Sequence, residues 1–122
     1  MPLAKNVMRG GVSAGAAQAI NGNAAVVNYS TAGTTQGTAT AIVADTNIVT
    51  TATSGQGVIL YAAMPGDSQL VFNNTSTDIK VYPPSGAKVN QLAANSGFVL
   101  APYTGVECKC VSSTQWLGFL SA

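Results

Sequence analysis

The chain contains no histidine, and only 7% of its 122 residues are charged. Without histidine, the Ser-His-Asp and Cys-His catalytic arrangements and the commonest metal ligand are excluded. The acidic residues lie far apart in sequence, at Asp45, Asp67, Asp78 and Glu107. They match no motif for paired-carboxylate chemistry, and turn or strand-end roles explain Asp67 and Asp78. We therefore expect a protein that is not an enzyme, with no catalytic residue, no cofactor site and no metal site.

The scarcity of charge also bears on partners. The five Lys and Arg residues are scattered, so the sequence has no basic patch for nucleic acid. No apolar run approaches the ~20 residues that span a bilayer. Residues 1–6 lack the apolar core of a signal peptide, which favours synthesis in the cytosol. Because an ordinary soluble domain has about 25% charged residues, this surface favours assembly with other subunits. A neutral monomer is the alternative.

The two cysteines, Cys108 and Cys110, are separated by one residue. On a strand they would share one face about 6.6 Å apart, whereas a disulfide needs Cβ atoms about 3.8 Å apart. Reduced thiols packed as small apolar groups are therefore the prediction.

Short apolar runs separated by turn residues predict a single all-β domain over residues 37–122. Glu107 and Lys109 alternate with apolar residues, so their side chains are predicted to point outward. The expected fold is a small β-barrel or a jelly-roll-like β-sandwich. The predicted strands are 38–43, 48–53, 58–61, 70–72, 79–83, 98–100, 106–110 and 115–120.

Residues 1–36 are rich in Ala, Gly, Thr and Asn, and we expect them to form an extended N-terminal arm. Within it, residues 16–20 could form a helical turn or remain extended. The arm could lie against a neighbouring subunit or fold back on its own domain.

Four aromatic residues, Tyr61, Tyr82, Tyr103 and Trp116, admit two interpretations. Aromatic side chains in β-domains most often fill a core or an interface, with their polar ends reaching water. The alternative is stacking on sugars, for which Tyr61, Tyr103 and Trp116 are the candidates.

A series of motifs over residues 57–118 resembles a family of small structural proteins of tailed-phage virions. Gly-Val-Ile-Leu at 57–60 is followed by Gly-Asp-Ser at 66–68 and Leu-Val-Phe-Asn-Asn at 70–74. The most specific segment is Val-Tyr-Pro-Pro-Ser-Gly at 81–86, which leads to Val89 and Asn90 and is similar to a V-Y-P-x-S-G-x-x-I-N pattern. Ser-Thr-Gln-Trp at 113–116 completes the series. Gln91 departs from the glycine that many relatives have there.

The resemblance implies a β-barrel or sandwich, self-association and no catalysis. The expected role is a capsid decoration or cement protein, which would contact copies of itself, with a trimer as the expected oligomer, and the major capsid protein. Its expected location is the capsid surface of a bacteriophage virion assembled in the host bacterial cytoplasm. The alternative is a head-fibre or tail-fibre module that contacts host surface glycans.

Overall fold

The computed structural model describes residues 26–121, and this part of the chain is built of strands without a helix. The all-β class is therefore confirmed. No helix in the described range has the length and apolar character needed to cross a membrane. The ten strands are β1 (Val26–Ser30), β2 (Thr40–Ala41), β3 (Thr46–Thr51), β4 (Gly57–Ile59), β5 (Ser68–Asn73), β6 (Ile79–Tyr82), β7 (Lys88–Val89), β8 (Phe98–Leu100), β9 (Gly105–Ser112) and β10 (Gln115–Leu120).

The first six strands wind as a short β-solenoid. Odd-numbered strands enter one sheet and even-numbered strands enter another, so each coil contributes one strand to each sheet. Within the sheets, β1 pairs with β3, β3 with β5, β2 with β4 and β4 with β6, all in parallel. The strands β1, β3 and β5 begin at residues 26, 46 and 68, so a coil takes about twenty residues.

The remaining strands close the solenoid in a different manner. The long sheet has the order β1-β3-β5-β9-β10-β7, and the short sheet has the order β2-β4-β6-β8. Strand β9 is antiparallel to β5, β10 is antiparallel to β9, and β8 is antiparallel to β6. The expected barrel or jelly-roll-like sandwich is not what these pairings describe, because a jelly roll is built from antiparallel neighbours and the coils here stack in parallel.

The core lies between the two sheets. Long-sheet side chains such as Val71 and Trp116 join short-sheet side chains such as Val81 and Leu100 in one buried cluster. Strand residues alternate between this cluster and solvent, as the two-residue period of a strand requires. Burying each Val, Leu or Ile side chain contributes about 1.5–3 kcal/mol, and these contacts hold the two sheets together.

The N-terminal boundary differs from the expectation. Strand β1 lies inside the range 1–36 that was assigned to an arm, yet it pairs in register with β3, and Tyr29 packs against the core. The described part of the predicted arm therefore belongs to the solenoid. Residues 1–25, including the possible helical turn at 16–20, lie outside the described residues.

Candidate functional site

The acidic side chains have local partners or lie at the surface. Asp45 accepts a hydrogen bond of 2.6 Å from the Tyr61 hydroxyl. The pKa of Tyr61 is raised, mainly by burial and to a smaller extent by this hydrogen bond. Asp67 accepts from the Met64 amide at 3.2 Å, which confirms its predicted turn role. Asp78 and Glu107 are exposed. Across the described residues, no three Cys, Asp or Glu side chains come close enough to hold a metal ion.

The two cysteines are free thiols in the core, as predicted. Both side chains point inward from β9. Burial raises the pKa of Cys108 to about 12, with the charge of Glu107 as a smaller cause. Cys110 also has a raised pKa, first because of burial and then because of Asp67. A protonated thiol inside a core is a weak nucleophile.

The aromatic residues considered for sugar stacking do not form one surface. Trp116 is 1% exposed and belongs to the core, so its ring is not available to a ligand at the surface. The backbone amide of Tyr61 donates a hydrogen bond to the side-chain oxygen of Gln69, a residue near the start of β5. Tyr103 is 61% exposed and precedes Gly105, which pairs with Phe72 near the other end of β5. The two tyrosines therefore lie toward opposite ends of that strand.

The segment that carried the resemblance has architectural contacts. Tyr82 is buried and donates its hydroxyl to the Thr34 carbonyl at 3.1 Å. Asn90 has a left-handed backbone with φ of 52°, and its side-chain oxygen accepts from the Gly118 amide at 3.0 Å. Through this bond Asn90 ties its own turn to β10.

The outer face of the long sheet carries an unusual set of side chains. On β9, Glu107 and Lys109 point outward as predicted. The pairing of β9 with β5 and β10 places Leu70 and Phe119 on either side of Glu107. It also places Ser68 and Leu117 on either side of Lys109.

These neighbours make the outer face largely apolar around one opposite-charge pair. Leu70, Leu117 and Phe119 are 38%, 39% and 56% exposed, respectively. Phe72 lies on the same face, and its ring covers Gly105, where an added Cβ would come within 3.0 Å of the ring. We call the set Leu70, Phe72, Glu107, Lys109, Leu117 and Phe119 the outer patch. A cluster of exposed apolar side chains marks an interaction site more often than single, scattered apolar residues do.

A second apolar feature is a pocket of about 350 Å³. It lies between the loop that follows β7 and the strands β8, β9 and β10. None of the described residues that line it is charged. The lining is Asn90, Gln91, Leu92, Phe98, Val99, Val106, Gly118 and Leu120.

The sequence revealed only part of the outer patch. Alternation along β9 indicated that Glu107 and Lys109 face outward, but their apolar neighbours are brought there by strand pairing. No local pattern showed that β5 and β10 flank β9. The apolar run of 115–120 predicted a strand, but it did not show which of its side chains are exposed to solvent.

Comparison with models of known protein families, with curated proteins and with solved structures found no match for this chain. The resemblance to phage virion proteins therefore stays a prediction, and any function rests on the residues and geometry described above.

Proposed function

We propose that this chain is a structural protein of a tailed-phage virion, namely a decoration or cement protein on the head surface. The observation that carries the proposal is the outer patch, an exposed apolar face on a domain with few charges. The motifs over residues 57–118 supply the virion setting. In this role the protein binds copies of itself and the major capsid protein, and it uses no cofactor and performs no catalysis.

The proposed mechanism is the repeated burial of apolar surface. Each 100 Å² of apolar area covered at a contact contributes roughly 2.5 kcal/mol before the costs of association. One such contact is weak, but a symmetric shell repeats it at every equivalent site. Many modest contacts together would resist expansion of the head under internal pressure.

The first test is the copy number of this protein in purified virions, measured by quantitative mass spectrometry against the major capsid protein. A fixed ratio close to the abundance of the capsid protein is expected for a decoration protein. A few copies per particle would instead indicate the tail or a fibre, and absence from the particle would overturn the virion role.

Heat resistance gives a second, independent measurement. Virions assembled without this protein are expected to release their DNA at a lower temperature than complete virions, because the additional contacts are missing. Adding the purified protein back should restore the release temperature. Equal release temperatures with and without the protein would contradict a cement role.

The alternative function is a fibre module that contacts host glycans, and the exposure of Tyr103 is the observation that favours it. This function predicts saccharide binding that is lost in Tyr103→Ala while the fold is kept. Trp116→Ala is unsuitable as a test, because it removes a core side chain. A glycan array without any bound saccharide would count against this alternative.

A further inference from the structure

The two charges of the outer patch are unpaired within the described part of the chain. Glu107 and Lys109 lie two residues apart on the same face of β9, about 6.6 Å along the strand. Along β3, β5, β9 and β10 they are the only charged residues. A surface that displays one negative and one positive group side by side can complement a rotated copy of itself.

We propose that the outer patch binds the outer patch of a second copy of this chain about a two-fold axis. The axis lies in the plane of the interface, perpendicular to the strands and level with Cys108. The rotation reverses the strand direction, so that Glu107 faces the partner's Lys109, and Lys109 faces the partner's Glu107. Such an interface is isologous, with the same residues contributed by both copies.

The same rotation matches the apolar part of the patch. It keeps each strand above its own counterpart, so β10 lies over the partner's β10. Phe119 shares a level with Glu107, and Leu117 shares a level with Lys109. Phe119 therefore meets the partner's Leu117, and the reciprocal contact forms on the other side of the axis. Facing sheets pack about 10 Å apart, a distance that side chains from both sides can fill.

The size of the face fits a modest dimer. The outer patch lies on β5, β9 and β10, and the stacking also brings β1 and β3 over their counterparts. These five strands, spaced about 4.8 Å apart and each about 18 Å long, give about 430 Å² in projection, or about 860 Å² for two copies. The relief of the side chains adds to this area. Specific interfaces begin near a total of about 1,000 Å², so a dimer with a dissociation constant in the micromolar range is expected.

This pairing names the partner for the self-association part of the proposed function. It replaces the trimer expected from the sequence, because a self-complementary face closes after two copies. The test uses the full chain in solution, so its failure would leave the virion role untouched. Likewise, absence of the protein from virions would leave the dimer untouched.

The test is sedimentation velocity of the full chain over a range of concentrations. The unaltered protein is expected to shift from monomer to dimer as its concentration rises. E107K and K109E each place like charges face to face across the axis, and each is expected to weaken the dimer by at least about tenfold. The double variant E107K/K109E restores both opposite-charge contacts and should recover the dimer.

Mixing the two single variants gives the sharpest result. E107K carries two positive charges on the patch and K109E carries two negative ones, so an equimolar mixture should form a heterodimer although each variant alone is monomeric. Val99→Lys, which adds a charge at an exposed site on the short sheet, should leave dimerisation unchanged. A protein that stays monomeric at every concentration, a trimer, or a mixture that fails to associate would overturn the proposal.

Discussion

Three buried amide side chains, Asn47, Gln69 and Asn73, take the place of backbone partners where the chain enters or leaves the long sheet. The Gln69 amide donates to the Tyr61 carbonyl at 2.8 Å and accepts from the Tyr61 amide at 3.2 Å. Asn47 donates to the carbonyls of Ala44 and Leu70 at 2.7 and 3.1 Å. A solenoid must satisfy the backbone groups of its corners inside the protein, and these side chains do so.

Asn73 makes the densest set of such bonds, and its loss should be costly. Its nitrogen donates to the carbonyls of Thr77, Leu100 and Ala101, and its oxygen accepts from the amide and hydroxyl of Thr75. Asn73→Ala leaves these buried groups without partners, so we expect a loss of about 3 kcal/mol in the free energy of unfolding. Urea unfolding followed by circular dichroism measures the change.

The neighbouring exposed residue supplies the matched control for Asn73. Asn74→Ala removes an amide that points to solvent and keeps the backbone bond from residue 74 to Val49. Its effect should stay within about 0.5 kcal/mol. Similar losses for the two alanine variants would contradict the role assigned to Asn73.

Among the strands, β4 depends on a close approach of backbones that only glycine allows. A Cβ on Gly57 would lie 2.2 Å from the Lys80 carbonyl oxygen of β6. Gly57→Ala must push β4 away from its parallel partner, and we expect a loss of about 3 kcal/mol or more in the free energy of unfolding. Thermal and urea unfolding of the variant would measure it.

Gly37 provides the comparison for this strand effect. It lies in the turn before β2, and a Cβ there meets nothing within 4 Å. Gly37→Ala should leave stability unchanged or raise it slightly, because alanine lowers the entropy of the unfolded chain. If Gly57→Ala were as stable as the unaltered protein, the close approach of β4 and β6 would be refuted.

Alternation and turn residues predicted some strands well and others not at all. The strands Phe98–Leu100 and Gln115–Leu120 lie where the sequence placed them. Strand β1 was missed because its short run is set among small polar residues. The partner that it has among the described strands, β3, is twenty residues away without a hairpin turn between them. Parallel coils are held by contacts that leave no local mark in the sequence.

For the whole molecule, the buried thiol of Cys108 links stability to alkaline pH. The thiol has a pKa near 9 when exposed and about 12 in the folded protein. Above pH 9 the unfolded chain therefore binds fewer protons than the folded one. The contribution to stability is complete below pH 9 and is lost as pH rises toward 12.

The expected decline is at most about 1.4 kcal/mol per pH unit for this one thiol. Urea unfolding at pH 9, 10 and 11 measures the slope, with Cys108→Ala as the comparison. The variant is less stable at every pH because of the lost packing, but its slope should be shallower. Parallel slopes would show that other groups cause the alkaline loss.

The order of the long sheet also governs when the molecule can be completed during synthesis. Strand β10 is the last strand in the described sequence, yet it lies inside the sheet, between β9 and β7. Strand β7 is made earlier and finds its strand partner only after β10 has been translated. A nascent chain that stops before residue 115 therefore lacks a strand from the interior of the sheet as well as an end. The ribosome must release the final strand before the six-stranded sheet can exist.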